Sequence, residues 1–216
     1  MSSGLVLIDK PSGWTSHDVV ARLRKLAGTR RVGHAGTLDP MATGLLLIGV
    51  NSATKLLTFL VGENKTYEAT IRLGAATITD DKESEFTTFA NSDDVRALTV
   101  DRLEAALAPL RGPIEQVPSS VSAIKVDGER AYDLARAGET VTLEPRPVHV
   151  ESLRLLAHAE TTSDFEMVCE KGTYVRALAR DLAAALGTCA HVSKLHRAAV
   201  GPFSDARAVT LEALEA

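Results

Sequence analysis

Cysteine is scarce in this chain of 216 residues: Cys169 sits in a strand-like alternation and Cys189 follows a glycine that stops a helix. Neither has a Cys or His nearby at structural zinc spacing, so both read as buried or idle thiols, and a stapled or metal-held fold is not supported. Long apolar runs are also missing. The longest, such as residues 45–50, fall far short of the roughly 20 residues needed to cross a bilayer. No basic residue precedes the brief apolar segment at the N-terminus and no small-residue cleavage site follows it, so no signal peptide is expected and the cytoplasm is the default compartment. A Walker-type glycine loop, a dinucleotide fingerprint and a credible metal-ligand cluster are absent as well, so neither cofactor nor metal is expected. No internal repeat or low-complexity segment is evident.

With 45% hydrophobic and 24% charged residues, the chain has the material for an ordinary globular core, in one large domain or two small ones. A net charge of −4 argues against indiscriminate nucleic-acid binding. The charges are segregated, however. Arg22, Arg24, Lys25, Arg30 and Arg31 form one basic interval, and Lys171, Arg176, Arg180, Lys194 and Arg197 form another. Asp80, Asp81, Glu83, Glu85, Asp93 and Asp94 crowd the middle, which reads as a flexible, solvated surface loop.

Residues 33–44, Gly-His-Ala-Gly-Thr-Leu-Asp-Pro-Met-Ala-Thr-Gly, organise the rest. Glycines permit backbone conformations closed to other residues, and Pro40 pushes Asp39 towards an extended conformation. The pattern predicts a shaped loop entering a buried strand, with Asp39 held in place. Around it, residues 5–8 predict a short strand. Thr15 or Ser16 caps a helix with Val19, Leu23 and Leu26 inward, and a second helix of about ten residues starts at Ser52. Residues 65–73 alternate cleanly, with Tyr67, Ala69, Ile71 and Leu73 on one face.

Val100, Leu103, Leu107 and Leu110 mark another helix, closed by Gly112 and Pro113. Residues 118–128 read as a strand entering an Asp-Gly turn, followed by a short helix at 130–137, in a basic excursion carrying Lys125, Arg130 and Arg136. Two strands then contain Val148 and Val150, and Phe165, Met167 and Cys169. The helix opened by Gly172 and Thr173 places Val175, Leu178, Leu182 and Leu186 inward, with Arg176 and Arg180 on the opposite face. A strand at 191–200 and a helix starting at Thr210 end the chain. Hairpin-like pairs outnumber crossover units. The expected class is α+β, with a mixed, largely antiparallel central sheet flanked by helices.

Four blocks carry a family resemblance: residues 7–13 with Thr15 and Ser16; residues 31–40 with 42–44; Lys65 and Tyr67 ahead of Arg72-Leu73-Gly74; and residues 171–176. The segments around Pro118 to Lys125 and Gly187 to Val192 add to them. Together they resemble the bacterial TruB-type tRNA pseudouridine synthases, which convert the uridine at position 55 in the T loop of tRNA. The resemblance implies the pseudouridine synthase fold, a cytoplasmic isomerase without cofactor or metal, base flipping, and tRNA as partner through its T arm. It further implies a monomer with no obligatory protein partner and no membrane association.

By the same resemblance Asp39 is the essential carboxylate, acting on the nucleotide or through its sugar. Arg176 keeps that carboxylate ionised, and Tyr67 stacks on the target base. His34 reads RNA shape, Leu195 packs beside the site, and Lys10, Gly36, Lys125 and Tyr174 complete the substrate-binding set. Residues 119–147 would be an RNA-gripping insertion in a single catalytic domain spanning 1–216. The small C-terminal RNA-binding domain common in the family is expected to be absent. Two rival readings are an RNA-binding module that has lost turnover and a synthase that modifies other RNAs.

Overall fold

The computed structural model describes residues 2–119, 125–126, 129–130 and 143–215. The strands are β1 (Gly4–Lys10), β2 (Val32–Ala35), β3 (Thr43–Val50), β4 (Lys65–Leu73), β5 (Ala75–Thr77), β6 (Phe86–Phe89), β7 (Gly112–Gln116), β8 (Lys125–Val126), β9 (Glu129–Arg130), β10 (Arg146–Ala159), β11 (Thr162–Cys169), β12 (Ala190–Val200) and β13 (Phe203–Ser204). The helices are α1 (Ser16–Leu26), α2 (Leu57–Leu60), α3 (Ser92–Arg96), α4 (Val100–Leu107), α5 (Val175–Ala185) and α6 (Leu211–Glu215). The main sheet runs β1-β3-β12-β4-β11-β10-β7, with β2 also on β3 and β13 also on β12. β3 and β12 pair in parallel, whereas β1 with β3, β2 with β3, and β7 with β10 pair antiparallel. This is the mixed, largely antiparallel α+β arrangement expected from the sequence.

Chain contacts divide the protein into two compact units, one comprising Met1–Glu68, Val168–Lys171 and Lys194–Ala216, the other Ala69–Met167 and Gly172–Ser193. In the first unit, β3 explains its own continuous apolar run. Leu46, Ile48 and Val50 enter a core with Val19, Val20 and Leu23 of α1, while Leu45 and Leu47 pack with Leu57 and Val200. A strand buried on both faces cannot alternate. Thr15 starts α1 through a capping box: its side chain accepts from the Asp18 N–H, and Asp18 Oδ2 takes the Thr15 N–H at 2.9 Å.

The ten-residue helix expected from Ser52 is a 3₁₀ turn, Asn51–Leu56, that passes into the single α-turn α2. Asn51 enters it at φ 54°, and Thr54 Oγ1 donates back to the Asn51 carbonyl at 2.7 Å, local bonding that competes with a regular α-helix.

In the second unit, β4 contributes the buried faces of Ala69, Ile71 and Leu73, as its alternation predicts. Thr99 caps α4, but Val100 is exposed; the α-helix ends at Leu107 and passes into a 3₁₀ turn, Ala108–Leu110, so Gly112 and Pro113 open strand β7 and do not close the helix. Arg176 corrects the helical-face reading of α5: it is buried along with Val175, Ala177, Leu178 and Ala179. Of the expected excursion, Lys125–Val126 and Glu129–Arg130 form a short antiparallel pair, so Arg130 is in a strand. The Asp127-Gly128 turn and the rest of the helix expected at 130–137 lie outside the described residues.

Candidate active site

The loop between β2 and β3 is held by the first sequence block. Ser16, buried at the start of α1, binds both polar groups of Leu38: the Leu38 N–H donates to Ser16 Oγ at 2.9 Å, and the Ser16 hydroxyl donates to the Leu38 carbonyl at 3.3 Å. Ser12 Oγ reaches the Met41 carbonyl at 3.2 Å, and the Gly13 N–H reaches that of Pro40 at 2.8 Å. Within the loop, the Ala42 N–H returns to the Asp39 carbonyl at 3.1 Å. Asp39 is half-buried on this turn, with both flanking segments tied down.

Lys10, expected in the substrate-binding set, is fully enclosed. Its ammonium donates to the carbonyls of Pro11 (3.0 Å), Trp14 (2.6 Å) and Pro40 (3.1 Å). An ammonium has three hydrogens and these acceptors match them, so Lys10 braces the loop from behind. Gly36 turns the chain at φ +87°, the left-handed region that glycine adopts without strain. Gly44 is more constrained still: at φ +96°, a Cβ there would lie 2.4 Å from the Arg197 carbonyl oxygen.

Tyr67 is buried, and burial pushes its phenol above the usual tyrosine range. The Arg197 guanidinium, by charge and hydrogen bond, partly offsets this, and the nearby Asp39 carboxylate adds to it. Tyr67 and Asp39 are thus close enough for charge on one to act on the other. Lys65 is buried on the same strand, its ammonium on the Val61 and Glu63 carbonyls, and burial lowers its pKa, with the Arg197 cation adding to the effect. Leu195 is buried.

His34, half-buried, faces Ile48 across the β2–β3 pair and meets His17 edge-on at 5.6 Å. Its Nδ1 is buried without a hydrogen-bond partner among the described residues. Burial lowers its pKa, and charge on His17 lowers it further.

The second unit holds the other expected residues. Tyr174 precedes α5 without a side-chain cap; instead its N–H donates to Gln116 Oε1 at 2.8 Å while Gln116 Nε2 donates to the Tyr174 carbonyl at 3.2 Å. Arg176 Nη1 donates to the Thr79 carbonyl at 2.9 Å and to Ser119 Oγ at 3.3 Å, and its Nε lies 3.7 Å from Asp81 Oδ2. Asp81 is buried, and its Oδ1 accepts from Thr79 Oγ1 and the Glu83 N–H.

This corrects the reading of the acidic stretch as a solvated loop at Asp80 and Asp81, whereas Glu83, Glu85, Asp93 and Asp94 are exposed as expected. Asp80 stands at φ 60°; its carbonyl accepts from the Val192 N–H at 2.9 Å, and the Lys82 N–H donates to the Val192 carbonyl at 3.1 Å. Burial raises the Asp80 pKa, against the pull of Arg180. Lys125 lies in β8, and Ser120 to Ile124 fall outside the described residues.

The residue that sequence reasoning missed is Arg197. It was visible only as one member of a basic cluster, although its spacing of two from Leu195 places both on one face of a strand. It is fully buried, with Nε on the Leu45 carbonyl at 2.8 Å, Nη2 on Gly36 O at 3.1 Å and Nη1 on Thr37 O at 3.4 Å. Among the described residues, no group of three or more His, Cys, Asp or Glu is placed to hold a metal, and no helix is long and apolar enough to cross a membrane.

Comparison with known proteins adds to this geometry. Residues 24–175 match the model of the TruB family pseudouridylate synthase N-terminal domain, and residues 176–216 match that of the tRNA pseudouridylate synthase B C-terminal domain. The chain is 56% identical to the tRNA pseudouridine synthase B of Arthrobacter sp. (strain FB24), over 99% of this chain and 71% of that protein. It is also 56% identical to that of Leifsonia xyli subsp. xyli (strain CTCB07), over 100% and 72%. Among solved structures, it resembles a chain of a Cbf5-Nop10-Gar1 complex with a TM-score of 0.75 and 28% identity, over 97% of this chain. It spans about half, 52%, of that solved chain.

Proposed function

The chain belongs to the TruB family of pseudouridylate synthases, isomerases that act on tRNA, and from that premise we propose that its target is the uridine at position 55 of the T loop. The reaction breaks the C1′–N1 bond, turns the freed base and joins C5 to C1′. The C5 proton leaves and N1 gains one, so the atoms balance without oxidation or reduction. Asp39 supplies the carboxylate that acts on the nucleotide, directly or through its sugar.

A uridine inside a folded T loop is out of reach, so it is extruded into the site. Stacking against Tyr67 offsets part of that cost, on the order of 1–3 kcal/mol for one base on an aromatic ring. In the family's scheme Arg176 keeps the carboxylate ionised, His34 reads the shape of the everted nucleotide, and Leu195 packs beside it. Basic side chains, with Lys125 in the excursion at 119–147, hold phosphates of the T arm. The enzyme works as a monomer in the cytoplasm, where its substrate is.

The observation that carries this reading is the half-buried Asp39 on a loop tied down on both sides, by Ser16 at Leu38 and by Ser12 at Met41. The test is tritium release from C5-labelled uridine in a T-arm transcript, with wild type and Asp39→Asn. Release by wild type alone, abolished when position 55 is changed to cytidine, is the expected result. Release by both proteins, or by neither, removes the assigned role.

A further inference from the structure

Arg197 lies outside the residues assigned to the reaction above, yet it touches both halves of the chemistry. A guanidinium is always charged and carries its five N–H donors in a rigid plane, so enclosing one completely is unfavourable unless acceptors are already in place around it. Here they are backbone carbonyls, and their positions matter. Gly36 and Thr37 come immediately before Leu38 and Asp39, and Leu45 comes just after the loop has entered β3. One side chain therefore clamps the Asp39 loop at its entry and its exit. The same guanidinium lies close enough to the phenol of Tyr67 on β4 for its charge to act on that group. Gly36 is required by its positive φ, +87°, which lets the chain turn so that its carbonyl meets the guanidinium. Gly44 lets the backbone of Arg197 itself approach the far end of the loop.

We propose that Arg197 is a positioning residue of the isomerisation: anchored in β12, its planar fork sets the separation and orientation between the loop that presents Asp39 and the ring of Tyr67. The proposal rests on the assignment of Asp39 and Tyr67 to the chemistry. It follows that a lysine is no substitute. A point charge on a flexible stem can meet one or two of these acceptors but cannot hold the carbonyls of Gly36, Thr37 and Leu45 together as a planar fork does. Enclosed and bound to the loop's own carbonyls, Arg197 acts through the groups it holds, so its loss should appear in the rate of the bound complex and leave the grip on tRNA largely intact.

The experiment measures single-turnover rate and tRNA affinity for wild type, Arg197→Lys, Tyr67→Phe, the double variant and Asp39→Asn, with thermal unfolding of each. Arg197→Met alone would be ambiguous, because stranding those carbonyls can unfold the protein; the lysine variant keeps the charge. Arg197→Lys should lower the single-turnover rate by roughly 100-fold, the loss that a displacement of about 1 Å at a reacting pair brings, with tRNA affinity within threefold of wild type. In the Tyr67→Phe background the same change should cost less than about tenfold, because part of what the guanidinium aligns is already gone. A wild-type rate for Arg197→Lys overturns the proposal, as does a loss of equal size in both backgrounds. An active Asp39→Asn instead brings down the underlying assignment. An inactive Asp39→Asn beside a fully active Arg197→Lys removes the present inference alone.

Discussion

Replacing Ser16 by alanine removes one oxygen and, with it, both hydrogen bonds of the Leu38 peptide groups to that side chain. Ser16 and Leu38 are 1% and 3% exposed, so water has little access to the stranded N–H and carbonyl. Each buried polar group left unsatisfied costs about 1–3 kcal/mol, so with two stranded the variant should be less stable by about 2–6 kcal/mol. For a chain of this size each kcal/mol moves the unfolding temperature by about 2–4 °C, giving a fall of roughly 4–24 °C. Urea denaturation of Ser16→Ala beside Ser12→Ala supplies the scale. Ser12 makes a single hydrogen bond, to the Met41 carbonyl, from an exposed position, so its loss should cost at most about 1 kcal/mol. Because Leu38 adjoins Asp39, Ser16→Ala should also slow turnover by about tenfold to a hundredfold through misplacement of the carboxylate. Equal, small losses for the two serines, with unchanged turnover, would show that the first sequence block does not hold the loop.

Gly44→Ala should fail to fold or lose far more stability than Gly13→Ala in the same denaturation assay: both glycines have positive φ, but only at Gly44 does the added methyl collide, 2.4 Å from a backbone oxygen. His34 has a pKa lowered by burial, so the unfolded chain binds its proton more readily than the folded one. Its contribution is therefore fully present above the unfolded pKa of about 6.5 and is lost as pH falls below it. Unfolding temperatures measured from pH 7.5 to 5.5 should thus drop more steeply in wild type than in His34→Gln, and parallel profiles would refute this. Asp81→Leu takes a buried carboxylate away from the buried Arg176 guanidinium and should cost about 3–5 kcal/mol in urea denaturation; a loss below about 1 kcal/mol would mean that neutral acceptors suffice for Arg176.

Elements whose signal is local were legible. The alternation of residues 65–73 gave β4 its buried face, Thr15 or Ser16 announced the start of α1, and the apolar run at 45–50 announced a buried strand. The loop around Asp39 was recognisable because glycine and proline constrain the backbone wherever they occur. Errors arose where a local pattern competed with distant partners. Residues 51–60 have helical composition, yet the Thr54 hydroxyl bonds back to the chain and a 3₁₀ turn forms. Arg176 looked like the outward face of an amphipathic helix, and Asp81 looked like part of a solvated acidic run. Each is buried because the other is there, 95 positions away.

By itself, then, the amino-acid order determined the strand and helix periods, the shaped loop that carries Asp39 and the motif set of the TruB family, because backbone preference and apolar spacing are properties of neighbouring residues. The tertiary structure alone decided which charges are enclosed. Lys10 turned inward to three carbonyls, Arg176 met Asp81, and Arg197 came to lie between the Asp39 loop and Tyr67. Burying a charge is favourable only when its acceptors converge from separate parts of the chain, and that convergence exists only once the chain has folded.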